Sequence, residues 1–506
     1  MKKYLTLLVL ALTIFMVGCA KEEVKTSKAK DTVIIATTYD AKTLDPYATN
    51  DVASSNIMQQ IYNNLVTVDD NGEVIGELAE KIETLDEKTY RFTLRKGVFF
   101  HNGEELKASD AIFSLKRAYN EGAAIKHLIN TIDLSTIKQD DDYTFSFSLT
   151  QPFSPFLVNM AHVGGGVVLN EKAVTEAGAD YGFSPVGTGP YKLTEWKKGD
   201  EMTLTRFDEF YGEKPYFANM IIRVIPEASI RTVELEAGTV DLAYEMPALE
   251  VNRIEKNEDL AVSEVTSHAI TYLGFNTQVA PLNDIRVRQA IKYGIDIETD
   301  VLAVFKGQAI TATGALSQAV NFADETLTVP EYNVEKGKAL LAEAGYPDGF
   351  SMKVWTNSKK VRVDMATIIK EQLKMIGIDL KIEVLEWGAY LQGLENDEHE
   401  MFVIGWTCQS LDPDLGLYPA FHSTGGSNFA RFKNAEFDKY LDDSRLTTDT
   451  AERAALFASA QQLIVEETPW VPLANTKMAF GYSKNLKGFV PSPMMYHKLY
   501  NLRWEE

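Results

Sequence analysis

Apolar residues recur along this chain with two spacings, and the switches between them mark out the elements. Thr32–Thr37 is a short apolar, β-rich run that reads as a first strand, and residues 40–50, with Asp45-Pro46, read as its exit loop. Ile57, Ile61 and Leu65 then fall at i, i+4 and i+8, which predicts a helix over 54–65 starting from a serine cap at Ser54. Short strands are expected around Glu73-Val74 and over Thr89–Leu94, where Tyr90, Phe92 and Leu94 alternate with Thr89, Arg91 and Thr93, so one face is buried. Ser109 is expected to cap a helix over 110–119 with Ile112, Leu115 and Tyr119 on one side. Residues 143–149 alternate again, so 66–180 reads as an α+β unit.

The turn Gly187-Thr188-Gly189-Pro190-Tyr191 precedes a strand over 192–196. It has neither a GxGxxG helix entry nor a following Lys-Ser or Lys-Thr, so its glycines serve backbone geometry and not a phosphate cradle. Beyond it, helices alternate with strands, as in α/β packing. Asn333 caps a helix that Gly345 and Pro347 end; residues 362–376 carry Ala366, Ile369, Leu373 and Ile376 on one stripe; residues 378–385 alternate as a half-exposed strand. Thr450 is expected to cap a long helix bearing Leu456, Ala460 and Leu463.

Length changes this picture by requiring more than one core: 506 residues imply two or three domains. The formal charge of −22 argues against a nucleic-acid partner and against electrostatic adhesion to anionic lipid. Residues 1–18 read as a signal peptide, with Lys2 and Lys3 before the apolar run 5–17 and Gly18-Cys19 at its end. This resembles a bacterial lipoprotein signal, which implies cleavage before Cys19, diacylation of that cysteine, and a mature charge two units more negative. Residues 19–31 then form a lipidated, polar tether. The body is expected to be exported and anchored at the cell surface or in the periplasm. No later stretch approaches eighteen consecutive apolar residues, which argues against a pore or permease. With Cys19 lipidated, only Cys408 remains, so no intramolecular disulfide is expected.

No familiar catalytic arrangement stands out. The seven histidines are scattered, none paired at helical spacing, and there is no GxSxG elbow or Walker sequence. Neither catalysis, a cofactor nor a metal is expected; a hydrolase without a recognisable motif is the alternative from another class. The stretch that most suggests a ligand is Gly405 to Asp414, GWTCQSLDPD, where a tryptophan, short polar side chains and two carboxylates follow an apolar run. Its competing reading is a surface turn built on Asp412-Pro413-Asp414.

Three passages together are similar to the extracellular solute-binding proteins of peptide and nickel ABC importers: TYRFTLRKGVFFHNGEELKASDAIFSLKRA (89–118), PVGTGPYKL (185–193) and the GWxxxxxDPD segment. The resemblance implies an α/β, two-lobed, type II periplasmic-binding-protein-like clamshell with an extra α+β domain. Lobe one would comprise 32–55, 181–275 and 480–506, the accessory domain 56–180, and lobe two 276–479. It also implies a monomer holding a small peptide in the interlobe cleft and docking on ABC permease subunits, whose ATPases lie on other chains.

In dipeptide and oligopeptide members, an aspartate in the loop after Gly-Trp pairs with the ligand's α-amine; Gln409 stands there in this chain. Losing one partner of such a pair costs roughly 2–5 kcal/mol, or about thirty- to several-thousand-fold in affinity. Either Asp412 or Asp414 serves the amine from a shifted loop, or the ligand brings its own countercharge, as glutathione does; several passages look like the glutathione-binding branch. Nickel members carry a histidine after Asp-Pro where this chain has Asp414, which ranks nickel last. For the ligand's carboxylate, Arg362 is the candidate, in a basic cluster with Lys359 and Lys360 at a helix start, where the dipole disfavours cations. Trp406 and Trp387 are candidate walls, Thr38 and Tyr39 weaker candidates from lobe one, and Cys408 a loop thiol or a contact.

Overall fold

The computed structural model describes residues 30–49, 51–69, 73–122, 125–408, 410–494 and 496–505. Cys19, the signal segment, most of the tether and Gln409 lie outside the described residues.

One mixed sheet of eleven strands organises both lobes. Its order is Ile378–Leu385, Phe350–Asn357, Met401–Thr407, Leu260–Phe275, Trp470–Ser483, Leu242–Ala243, Thr32–Thr37, Asn219–Val224, Glu201–Arg206 and Tyr191–Lys197, with Ala309–Thr311 added against Trp470–Ser483. Strands Thr32–Thr37 and Phe350–Asn357 run parallel to both of their neighbours, with Val33, Ile35 and Val354 completely buried.

The two long strands, Leu260–Phe275 and Trp470–Ser483, cross from lobe to lobe. They pair antiparallel from Leu260–Ser483 at one end to Gly274–Trp470 at the other, and their register breaks between Thr266 and Ile270. On one side of the break the neighbour is Leu242–Ala243 of the first lobe; on the other it is Met401–Thr407 of the second. Separate cores lie at the two ends, one around Leu235, Ile254 and Leu260, the other around Leu273, Phe275, Val354 and Val403.

A second sheet, Ala79–Asp86, Thr89–Leu94, Thr144–Ser148 and Lys138–Gln139, belongs to the accessory unit. The alternation expected over Thr89–Leu94 is present, with Phe92 stacking on Phe145 and Phe147 at 5.5 and 5.8 Å. This unit packs on the first lobe through the PVGTGPYKL turn. A Cβ at Gly187 would lie 2.0 Å from the Ile61 carbonyl oxygen, so that glycine does serve close backbone approach. His101 links the same turn, accepting from the Gly187 N–H at Nδ1 (3.3 Å) and meeting the Gly189 carbonyl at Nε2 (3.0 Å). The unit also reaches the second lobe, where the Ser154 N–H donates to the Arg445 carbonyl at 2.8 Å.

Three expected caps are corrected. The helix Val52–Ile61 is capped by Asp51, whose carboxylate accepts from the Ser54 N–H at 2.9 Å and the Ser54 hydroxyl at 2.7 Å, and it ends four residues before Leu65. The helix Ala108–Glu121 starts after Lys107, with Asp110 accepting from the Lys107 N–H at 3.0 Å, and Ser109 lies inside it. Asp449, not Thr450, caps the helix Thr450–Glu467. In the first and third of these, a carboxylate three residues and one residue before the expected hydroxyl takes the cap, being the stronger acceptor for an N–H at the positive end of a helix. Asn333 caps its helix as expected, accepting from the Lys336 N–H at 3.0 Å.

Candidate functional site

The GWTCQSLDPD segment begins inside the strand Met401–Thr407, where Gly405 pairs with Thr271, Trp406 with Ile270 and Thr407 with Ala269. The strand therefore ends at the register break of the crossing strand. His268, in that break, accepts the Cys408 N–H on its carbonyl (3.3 Å) and holds its imidazole between the carbonyls of Cys408 and Ala319, both at 3.1 Å. Trp406 donates its indole N–H to the Gly416 carbonyl at 2.8 Å, tying the strand to the helix Asp414–Phe421. The Cys408 thiol is enclosed and points at the carbonyls of Ser410 and Asp412; burial pushes its pKa up to about 12, far from that of a reactive thiol.

Both aspartates of the segment turn inward. Asp412 accepts from Arg453 at 2.8 and 3.1 Å, and from the Asp414 N–H at 3.0 Å. Asp414, 0 % exposed, receives a two-point contact from Arg445 at 2.6 and 3.1 Å. Burial nevertheless holds the Asp414 carboxyl above the usual range, against the pull of Arg445. These carboxylates fix the loop, and neither stands as a free countercharge for an amine.

Arg362 has the opposite character. It lies in the first turn of the helix Lys360–Leu373, a little earlier than the expected start, and is half-buried. Its guanidinium donates to Asn357 Oδ1 at 3.2 Å and lies 5.8 Å from the Trp387 ring centre. Gly405 leaves room for it: a Cβ there would stand 2.9 Å from Arg362 Nη2. Among the described residues no carboxylate pairs with it, and burial draws its pKa below the usual arginine value, with the Tyr390 and Tyr272 hydroxyls opposing. Trp387, 45 % exposed, opens the helix Trp387–Glu395, so Arg362, Trp387 and the Gly405-Trp406 strand form one wall.

Thr38 and Tyr39 stand on the other wall, where the strand Thr32–Thr37 ends. They line a cavity of about 420 Å³ together with Tyr244, Glu245, Met478 and Phe480, the last two from a crossing strand. Tyr39 is 67 % exposed, and the Thr38 hydroxyl is buried without a hydrogen-bond partner among the described residues. A second cavity of about 450 Å³ lies behind the GWTCQSLDPD segment, lined by Asn159, His162, Ser410, Leu411, Leu415 and Tyr496.

The structure thus brings Arg362, Trp387 and the strand carrying Trp406 together, sets Thr38 and Tyr39 on the opposite lobe, and puts Asp412 in the interior. Glu245 and Asn159 line these cavities without having been singled out by the sequence. Glu245 leaves a faint signal, an acidic residue inside the apolar, proline-ended run 242–247; Asn159 leaves none.

Among the described residues no helix is long and apolar enough to cross a membrane. The family model for bacterial extracellular solute-binding proteins, family 5, matches residues 73–428. The chain is 30% identical over 486 residues to the dipeptide-binding protein of Escherichia coli (strain K12), covering 88% of this chain and 89% of that protein. It is 31% identical over 473 residues to the glutathione-binding protein GsiB of Salmonella paratyphi A, covering 91% and 92%. A solved structure, the ABC transporter-associated periplasmic binding protein DppA from Helicobacter pylori in complex with the peptide STSA, superposes with a TM-score of 0.81 at 29% identity, over 94% of this chain and 99% of that one. On this match in sequence, and on the fold they share, the chain belongs to the bacterial extracellular solute-binding proteins, family 5.

Proposed function

We propose that this protein is the lipid-anchored capture component of an ABC importer, taking short peptides or glutathione-like ligands into the cleft between its lobes and presenting them to a membrane permease. The observation that carries the reading is Arg362. A half-buried guanidinium with one amide contact, an aromatic face beside it and no carboxylate partner among the described residues is suited to the carboxylate of a ligand. Dipeptides and glutathione, named for two relatives, both carry such a group. Trp387 and Trp406 offer flat apolar surface for the peptide plane. Closure about the crossing strands would remove water and strengthen each polar contact. In this reading the chain does no chemistry, and Cys19 holds it to the membrane.

Calorimetry of the mature protein with Met-Leu, Met-Leu amide and glutathione tests it. Ligand at 100 times Kd should stabilise the fold by about 2.7 kcal/mol, and mass spectrometry should recover the ligand unchanged. Arg362→Ala is expected to weaken Met-Leu by roughly thirtyfold or more and the amide by less than about threefold. Equal losses would refute the role of Arg362, and hydrolysed ligand would refute binding without turnover. Labelled palmitate should enter the wild-type chain and not Cys19→Ala.

A further inference from the structure

Three carboxylates line the cavity at the end of the first strand: Asp40, Asp51 and Glu245. Two of them serve the fold. Asp40 accepts from the Trp196 indole at 3.1 and 3.3 Å and from the Gly199 N–H at 2.8 Å. Asp51 caps a helix and also accepts from the Thr49 hydroxyl at 2.7 Å. The Glu245 carboxylate is exposed and makes no hydrogen bond or ion pair among the described residues.

The backbone beneath that free side chain is tightly held. Glu245 has φ of 52°, in the left-handed region that disfavours residues with a Cβ. It is kept there by Arg231, 2 % exposed, which donates to the carbonyls of Tyr244 and Glu245 at 3.0 Å each, Ile225 at 2.6 Å and Pro226 at 2.9 Å. A buried arginine that binds four carbonyls and, among the described residues, no carboxylate is a loop clamp, and what it presents is an anion without a contact partner. Backbone held in this way by surrounding contacts is found clustered at ligand sites and switch regions.

The charges opposite complete the pattern. Lys359, although it reaches solvent, is held below the usual lysine range by desolvation and by repulsion from Arg362, and Glu245 of the other lobe opposes this only weakly, from beyond contact distance. The first lobe therefore offers an unpaired negative group, and the second offers Arg362 and Lys359. The loop aspartates Asp412 and Asp414 are engaged by Arg453 and Arg445.

We propose that Glu245 is a specificity-determining residue that pairs with the ligand's ammonium group while Arg362 takes the carboxylate from the other lobe, so that the cleft selects zwitterions with a free amine. The proposal rests on the peptide reading above and supplies its missing countercharge. It assigns to the first lobe a contact that the segment after Gly405-Trp406 was expected to make.

The test is a cycle between one residue and one ligand group. Titration calorimetry compares Met-Leu, N-acetyl-Met-Leu and Met-Leu amide on wild-type protein and Glu245→Gln, an isosteric change at an exposed side chain that should leave the melting temperature unchanged. Acetylation is expected to weaken binding to wild type by about thirtyfold or more and to Glu245→Gln by less than about threefold, while amidation weakens both alike. An equal acetylation penalty in the two proteins would overturn the proposal, placing the amine elsewhere. Within that outcome, loss of Met-Leu and N-acetyl-Met-Leu by the same factor in Glu245→Gln would mark an interlobe latch with Lys359, and unchanged affinity for both would leave Glu245 without a role in binding. Wild-type protein that bound neither Met-Leu nor glutathione would remove the peptide reading itself, an outcome separate from these two.

Discussion

Replacing Arg445 with methionine should destabilise the protein by about 3 kcal/mol at pH 8 and clearly less at pH 5. Arg445 and Arg453 face Asp414 and Asp412 in an interior cluster of two positive and two negative groups. Removing one arginine leaves a net negative charge on Asp414, which is 0 % exposed and, among the described residues, is hydrogen-bonded by no other cation, Arg453 acting on it only from a distance. Breaking a buried pair from one side costs about 3–5 kcal/mol, and the partial exposure of Arg445 argues for the lower end. Proton uptake limits the cost. Burial already holds the Asp414 carboxyl above its ordinary 3.8, and loss of Arg445 raises it further. Between those two values the folded variant binds a proton that the unfolded chain does not, so its deficit grows as pH rises, by up to about 1.4 kcal/mol per pH unit. Urea unfolding at pH 5 and pH 8 of wild type, Arg445→Met, Asp414→Asn and the double variant measures this. The double variant should lie within about 1 kcal/mol of Asp414→Asn alone, because the unpaired charge is gone. If Arg445→Met were equally destabilised at both pH values and not rescued by Asp414→Asn, the role of Arg445 would be packing on Tyr418, whose ring centre is 3.2 Å from its guanidinium carbon.

Gly405→Ala should change stability by less than about 1 kcal/mol, since the guanidinium its Cβ would meet can move, yet weaken Met-Leu about tenfold, equivalent to 1.4 kcal/mol; unchanged affinity by calorimetry would contradict the placement of Arg362. His162 accepts the Gly164 N–H on Nδ1 at 3.0 Å, and burial lowers its pKa to about 4 from the ordinary 6.5. From pH 6.5 down to about 4 the unfolded chain takes up a proton that folded His162 refuses, so its contribution is complete above pH 6.5 and is lost as pH falls. The stability advantage of wild type over His162→Gln should shrink across that window by up to about 1.4 kcal/mol per pH unit; an advantage independent of pH by urea unfolding would refute it. The comparison with the variant is needed because Glu77 and Asp300, raised by burial to about 7, act on the whole-protein profile in the opposite sense.

What could be read from the sequence was local. Thr32–Thr37, Thr89–Leu94 and Ile378–Leu385 have the bounds their patterns imply, because a strand with one regular pattern of burial carries its own record. The crossing strand Leu260–Phe275 left no such record. Its two halves have different neighbours, and its last six residues are buried on both faces, so no single alternation runs through it. Caps at 51, 107 and 449 were misplaced by one to three residues where the expected hydroxyl side chain lost the position to a neighbour. The ion pairs Asp412–Arg453 and Asp414–Arg445 span 41 and 31 residues, and with 72 carboxylates in the chain nothing local singles these two out.

That last failure bears on how a binding segment is recognised. GWTCQSLDPD attracts attention because it is polar and acidic, yet its aspartates are interior anchors: Asp412 and Asp414 hold the chain between Thr407 and the helix Asp414–Phe421 against two arginines of the following helices. Arg362 and Glu245 reverse the relation. Their charges have no partner of opposite sign in contact among the described residues, and the devices around them are a glycine that makes room for one and a buried arginine that fixes the backbone of the other. Under the proposed peptide reading, recognition charges satisfied internally would have nothing left to differ between ligands. The residues to test first for specificity are therefore the uncompensated ones, one on each lobe, and the acidic loop is part of the frame behind the wall that carries Arg362.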